Sequence, residues 1–488
     1  MNPLITLQDI NLLAPELCCA IGGVLVLALD MVFRGQSSKR LVELTAAAAL
    51  ALASWILVGR MGQAPALAFG GMVADGGLAD AFRWGLALVG LLTLVLARQQ
   101  GATQGLLHGE FYALLLFATA AMMLFTVCQD LMLAFIALET FSLAMYVLAG
   151  FNKAWHGNRE AALKYFLLGA FAAAFFLAGL ALIYGSIGSV NLASVAGAFK
   201  AGLPPERLLL LEGGVALVLC ALLFKVGVAP FHLWVPDVYS GATTPVTAWL
   251  GAAAKLAAFG ALLRLLGSVP ASQAPYPQII GVLAILTLLA GNLGALKQDG
   301  LKRLLAYSSI AHSGYALVGL LGLGVAGSGA EGAVLSYVLV YGLMNYLAFA
   351  LVAAGERQLA LRGEARPLRL GDLAGLGFER PWFGLAMAVA MVSMAGLPPT
   401  AGFIVKFGVF KSALVGGHPI LAALAILNSV VSAAVYLRVL VALYMLPKEA
   451  GATGPNFGWP LGLLTAAAAL ALLALGVLPN GLAALAGG

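Results

Sequence analysis

Hydrophobic runs long enough to cross a bilayer recur along almost the whole chain, separated by short polar connections. A spanning helix needs about 20 apolar residues. By that measure the sequence predicts fourteen crossing segments, the first six at 12–33, 41–60, 79–98, 111–128, 131–150 and 162–184. Only Gln129 and Asp130 separate the fourth from the fifth, and a semi-polar stretch, 185–207, follows the sixth. The remaining segments are expected at 208–231, 242–266, 278–297, 301–323, 331–354, 380–412, 418–446 and 459–480. An even count puts both termini on one side of the membrane.

The seventh segment breaks the pattern. Lys225 lies inside it, and its helix is expected to fail at Gly227 and Pro230. Lys255 falls in the middle of the next segment, and Lys406 lies deep in the 380–412 run. A lysine at bilayer depth costs at least about 2.5–3.5 kcal/mol, so it normally faces a protein interior or a water-filled cavity. Proline frees a carbonyl there, which a membrane tolerates only where protein or water satisfies it again. Gly227-Val-Ala-Pro-Phe-His-Leu-Trp234 is echoed by Gly396-Leu-Pro-Pro-Thr-Ala-Gly-Phe403: glycine, proline three on, an aromatic four further. Paired interrupted helices in two halves of a chain point to a transport site. A cation beside each break points to proton movement.

Composition agrees: 62% of the 488 residues are hydrophobic and 9% charged, where a soluble domain carries about 25% charge. The net charge of +6 comes from singly spread basic residues. No basic stripe with interleaved aromatics is present, which argues against nucleic-acid binding. Fifteen basic residues fall in connections on one side, among them Arg34, Lys153, Arg159, Lys302, Arg303, Arg357, Arg366 and Lys448. Six fall on the other: Arg60, Arg83, Lys200, Arg207, Arg264 and Lys411. The positive-inside rule then places both termini outside, periplasmic in a Gram-negative bacterium. Five lie within spans: Lys164 and Arg438, which can reach an interface, and the deeper Lys225, Lys255 and Lys406. Cys18, Cys19, Cys128 and Cys220 form no C-x-x-C pair and suit small apolar positions better than metal or cluster ligation. The first residues lack a basic n-region, so the first run reads as a retained span.

Glu139 is the one acid or base past Asp130 in its span; an intramembrane carboxylate is a functional candidate by default. Lys164, at the start of the following span, is its expected partner. Desolvation favours the neutral form of a lysine and an approaching carboxylate the charged form, so a movable Glu–Lys pair can load and unload a proton. The alternative is a set of permanent structural ion pairs. His232 and His312 are candidate neutral relays between the lysines, or else hydrogen-bonded core histidines. Asp237, after Pro236, is expected to cap a helix or line an exit. Gly322-Leu-Gly324-Val-Ala-Gly327 fits G-x-G-x-x-G but lies at a membrane-helix end rather than after a strand, so direct NADH binding is not expected.

Four stretches together carry a resemblance: Leu138-Glu139 with Ser142-Leu143 and Tyr146; Lys164-Tyr-Phe-Leu-Leu-Gly169; Phe224-Lys-Val-Gly-Val-Ala-Pro-Phe-His-Leu-Trp-Val-Pro-Asp237; and Gly396–Phe403 with Lys406-Phe407. They cover roughly 105–445 and resemble the antiporter-like membrane subunits of respiratory complex I, the NADH–quinone oxidoreductase. Within that family the chain most resembles the subunit N branch; lysine at 406 separates it from subunit M, which has glutamate there, and it lacks the long lateral helix expected of subunit L. The resemblance implies an all-α polytopic fold of about fourteen helices with two inverted five-helix repeats, each holding a broken helix. The repeats would span 105–270 and 271–446, flanked by a three-helix segment (1–104) and a terminal helix (447–488). It implies Glu139 and Lys164 as the charged pair of the first half-channel and Lys225 as the proton-carrying lysine. Lys255 would be the connecting lysine, with His312 on the connecting helix, and Lys406 the end of the second half-channel. No cofactor is expected in this chain; flavin, iron–sulfur clusters and quinone belong to partner subunits, with subunits M, K and J and membrane lipids as neighbours. The rivals are a subunit of a multi-subunit cation/proton antiporter or membrane-bound hydrogenase, a passive scaffold subunit, and a stand-alone solute transporter.

Overall fold

The structure, a computed structural model, describes residues 6–33, 36–270, 276–364, 366–447, 455 and 458–478. Arg34 and Lys448 of the basic count lie outside the described residues. The chain begins with α1 (Leu7–Leu12), α2 (Ala14–Val32) and α3 (Gln36–Arg60), followed by a hairpin of β1 (Ala66–Ala68) and β2 (Val73–Asp75). Next come α4 (Leu78–Gln104), α5 (Gly109–Val127), α6 (Leu131–Ala149), α7 (His156–Ile187), α8 (Leu192–Ala201), α9 (Pro205–Val226), α10 (Trp234–Gly241) and α11 (Thr244–Gly267). The rest is α12 (Tyr276–Leu296), α13 (Leu301–Gly319), α14 (Ala330–Leu361), α15 (Leu376–Glu379), α16 (Pro381–Ala395), α17 (Ala401–Val415), α18 (Pro419–Tyr444) and α19 (Trp459–Val477).

Thirteen of these, among the described residues, are long and apolar enough to cross a membrane. The twelfth predicted crossing, 380–412, is α16 and α17 joined by a non-helical stretch, so it is broken as the glycine–proline echo required. The seventh segment starts earlier than expected, runs unbroken to Val226 and resumes as α10. Helices α7 and α14 have 32 residues each, about 48 Å at the helical rise, and so overrun the apolar core at the ends where Lys164 and Glu356 lie. The semi-polar stretch 185–207 contains the short helix α8.

Two rings of five crossings follow from the packing. In the first, α5, α6, α7, α9–α10 and α11 touch in sequence, and α5 meets α11. In the second, α12, α13, α14, α16–α17 and α18 do the same, and α12 meets α18. Five is odd, so the second ring starts on the opposite side and is inverted. Where the rings meet, α11, α13 and α14 are almost wholly enclosed, whereas α2, α3, α7, α18 and α19 leave most of their surface exposed. Charge at bilayer depth belongs in enclosed helices, and Lys255 and His312 are both there, with Glu356 buried near the end of α14.

Not every basic residue counted as a surface charge is one. Arg83 is fully buried, and its guanidinium pairs with Glu16 (2.6 Å), Asp80 (2.9 Å) and Asp75. Arg60 also reaches Asp75 (3.3 Å), and Arg264 donates to the Ala74 carbonyl (2.7 Å). Lys302, placed in a connection by the sequence, is buried too. Each sits within two turns of a helix end, where hydropathy cannot separate an interface residue from a buried one. Replacing Arg83 with glutamine would leave the buried Glu16 and Asp80 without a cation and Asp75 with Arg60 alone; removing one partner of a buried pair costs about 3–5 kcal/mol. The expected outcome is a several-fold loss of assembled protein in purified membranes, and unchanged yield and melting temperature would refute it.

Candidate functional site

Each helix break is made by the same device. Gly227 (φ 72°) and Gly396 (φ 79°) end α9 and α16 in the left-handed conformation that only glycine adopts without cost. Three of the backbone groups at the first break are claimed by neighbouring side chains. The Phe224 carbonyl accepts from the Trp234 indole (3.0 Å), Val226 from the Ser313 hydroxyl (2.5 Å), and the Ala229 N–H donates to Thr287 (3.0 Å). At the second break the Ala395 carbonyl accepts directly from Lys406 Nζ (2.9 Å), and the Gly402 N–H donates to Ser393 (3.2 Å). A Cβ on Gly402 would lie 1.8 Å from the Ser393 carbonyl oxygen, so only glycine lets α17 start this close to α16.

Lys225, the penultimate residue of α9, is buried and donates to Ser142 (2.7 Å). The rings of Tyr146, Phe141, Tyr165 and Phe224 surround its ammonium at 5.4–5.9 Å, within cation–π range. Helix α6 puts Glu139, Ser142 and Tyr146 on one face through i, i+3, i+7 spacing. Glu139 Oε1 is buried without a hydrogen-bond partner. Among the described residues no ion pair within 4.0 Å joins Glu139 to any cation.

Lys164 is not beside Glu139, contrary to the expected pair. It contacts Asp237 and Glu160, both at 2.7 Å, near the membrane surface. Starting α7 at His156 puts Lys164 only two turns in, at the level of α10. Asp237 neither caps a helix with its side chain nor stands free: its second oxygen pairs with Arg303 (3.0 Å). One carboxylate thus ties α7 of the first ring to α13 of the second.

At the centre, Lys255 of α11 is buried and donates to the Ser309 carbonyl and the Ser313 hydroxyl (2.6 Å), with the Tyr341 ring 4.9 Å away. Ser313 therefore connects Lys255 to the carbonyl freed beside Lys225. His312 is buried between two tyrosines, Nδ1 2.7 Å from the Tyr337 hydroxyl and Nε2 3.1 Å from that of Tyr436, which meets Ser308 (2.6 Å). Its ring lies 4.7 Å from that of Tyr341 and 6.0 Å from that of Tyr315. Beyond it, Lys406 is buried, with Ser429 at 3.0 Å and the Tyr315 ring at 4.5 Å. His312 lies between the two lysines as expected. His232 does not: it sits in the first break with its buried Nδ1 unpartnered.

A family described as "NADH:quinone oxidoreductase/Mrp antiporter, TM" matches residues 128–432, which span both breaks and all three lysines. NADH-quinone oxidoreductase subunit N of Chloroflexus aggregans is 40% identical over 476 residues, 96% of this chain and 95% of that one. The chain belongs to the subunit N family of NADH–quinone oxidoreductase. A chain in the structure of respiratory complex I from Thermus thermophilus with bound aureothin matches with a TM-score of 0.81 and 37% identity, covering 97% of this chain and all of that one. A chain of the Mrp complex from Dietzia sp. DQ12-45-1b shares the fold (TM-score 0.80, covering 99% and 97%) at 23% identity.

Measured against this subunit N fold, the sequence reading found the charges and missed what holds them. Ser142, Ser309, Ser313, Ser429 and the tyrosines at 315, 337, 341 and 436 carry the contacts. A signal was present: α13 has the lowest hydropathy of the crossing helices, with Ser308, Ser309, His312 and Ser313 on adjoining positions. Replacing Ser313 with alanine removes a partner from both Lys255 and Val226. Leaving such buried groups short costs about 1–3 kcal/mol, and a lower melting temperature of the assembled complex is the expected reading. An unchanged value would mean that the bridge contributes nothing.

Proposed function

We propose that this chain moves protons across the membrane as the subunit N of an NADH–quinone oxidoreductase, driven by quinone reduction in partner subunits. The supporting observation is that Lys225, Lys255 and Lys406 are held by hydroxyls, carbonyls and aromatic faces, with no carboxylate ion pair among the described residues. A lysine locked in an ion pair cannot give up its proton without stranding a buried carboxylate. One with neutral partners can. The permanent-ion-pair reading loses its support.

In this reading Glu139 modulates Lys225, Ser313 passes charge displacement from the first break to Lys255, and His312 with its tyrosines links Lys255 to Lys406. Lys164 and Asp237 act together at the surface where α7, α10 and α13 meet, and His232 has a place only if the first break rearranges. The repeats are assigned to 105–270 and 271–446, both termini to the periplasmic side of a bacterial inner membrane. Subunits M, K and J are the proposed neighbours, with flavin, iron–sulfur clusters and quinone in partner subunits. Identity of 40% to subunit N, against 23% to the antiporter complex chain, favours the respiratory complex over an antiporter.

The test is Lys225→Ala in inverted membrane vesicles, with assembly, NADH–quinone turnover and proton uptake read on one preparation. Removing a positioned proton-transfer group costs about a hundredfold or more where it is obligatory, so an assembled complex with pumping and turnover both lost is expected. Normal turnover with normal pumping would remove Lys225 from the mechanism and favour a scaffold role.

A further inference from the structure

On the face that carries Lys153, Arg159, Arg303 and Arg357, a cavity of about 200 Å³ opens between the end of α4, the α6–α7 connection, α14 and the connection after α14. Gln104, Asn152, Trp155, Glu356, Arg357 and Arg366 line it. Its volume holds several waters, and its lining offers them polar partners. Glu356 forms its inner wall and is 8% exposed. One carboxylate oxygen accepts from the Thr244 hydroxyl at the start of α11; the other is buried with no hydrogen-bond partner among the described residues. A buried carboxylate that only braced two helices would be expected to have both oxygens satisfied.

From Thr244 inward the enclosed interface stays polar along one line. Thr243 Oγ1 is buried and unpartnered. Thr247 donates to the Tyr239 carbonyl (3.0 Å), and the Tyr239 hydroxyl lies 3.4 Å from that of Ser309, whose carbonyl receives Lys255. Thr244 and Lys255 are eleven residues apart on α11, three helical turns, and so share a face. On α14 the same spacing sets Glu356 in line with Asn345, which donates to the Ala248 carbonyl (2.8 Å); Tyr341, one turn further on, lies beside Lys255. Lys302, buried nearby, donates to the Ala242 carbonyl (2.5 Å), which supplies positive charge close to the carboxylate without occupying it.

We propose that Glu356 is the proton-uptake residue of Lys255, loaded from this cavity. The inference rests on Lys255 being part of the proton path. In the transfer, neutral Glu356 releases its proton towards Thr244 and becomes a carboxylate. The hydroxyls of Thr244, Thr247, Tyr239 and Ser309 each accept one proton and pass one on, with water bridging those that do not touch, because the Tyr239 and Ser309 carbonyls accept hydrogen bonds but relay no proton. The Lys255 amine becomes an ammonium, and a proton delivered through the cavity water restores neutral Glu356. Lys255 thereby has its own supply, separate from Lys225.

The test compares Glu356→Gln, Glu356→Asp and Thr244→Val with Lys255→Ala, each in the assembled oxidoreductase in inverted vesicles. Glu356→Gln is expected to lower proton uptake and NADH–quinone turnover together by about tenfold, a fraction of the effect of an obligatory acid–base group. Glu356→Asp should restore most of it, and Thr244→Val should show a smaller loss. Normal uptake and turnover in Glu356→Gln while Lys255→Ala is impaired overturns the inference and leaves the functional reading standing. If Lys255→Ala is also normal, the functional reading itself fails. Should Glu356→Gln not assemble, wild-type transport in both Glu356→Asp and Thr244→Val, with its hydroxyl gone, overturns the inference.

Discussion

A helix that stops inside a membrane leaves carbonyls with nothing to accept from, and a lysine taken out of water has N–H groups with nothing to donate to. Each is expensive alone. In this fold the two deficits meet. Lys406 donates to the carbonyl freed at the end of α16, and Lys255 reaches the one freed at the end of α9 through Ser313. The breaks make the cations tolerable, and the cations and hydroxyls make the breaks tolerable. The rest of the architecture encloses those two meeting points: α11, α13 and α14 wrapped by helices that present apolar faces outward.

Much of this was legible from residue order. Gly227 and Gly396 mark the breaks because a left-handed residue after an apolar run has one inexpensive occupant, and the prolines that follow exclude a continuing helix. Lys225, Lys255 and Lys406 stood out because hydropathy makes a deep cation conspicuous. What stayed hidden depends on three-dimensional pairing. Nothing in the order of residues says that Lys164 faces Asp237 rather than Glu139; that follows from how far α7 projects past the apolar core. Serines and tyrosines are cheap enough in a membrane helix that single ones carry no signal, so Ser313 and Tyr337 became visible only through their partners. Arg83 misled for the opposite reason: near a helix end, a buried arginine and an interface arginine look alike.

The two faces of the protein are joined differently. On one, the β1–β2 hairpin lies across two connections and the end of α11: Met72 accepts from the backbone of Gln129 (2.7 Å), Gly71 from the Asn191 side chain (3.1 Å) and Ala74 from Arg264 (2.7 Å). Arg83 and its three acids lie beneath, making this face a network of backbone and buried charge. On the other, Asp237 is shared between Lys164 and Arg303, all partly exposed, beside the buried Lys302–Ala242 and Thr244–Glu356 contacts. Exposed pairs contribute little and are screened by salt, so Asp237 is the softer part of this junction.

Helix α14 has 32 residues without a break. It carries Tyr337 against His312, Tyr341 against Lys255 and, near its far end, Glu356 against Thr244. A continuous helix moves as a rod, because stretching it breaks backbone hydrogen bonds. A slide or turn of α14 by even one residue would therefore alter the histidine contact and the carboxylate contact in the same stroke. Were α14 to move, these contacts would change together through its stiffness, with no signal passing along the side chains between them.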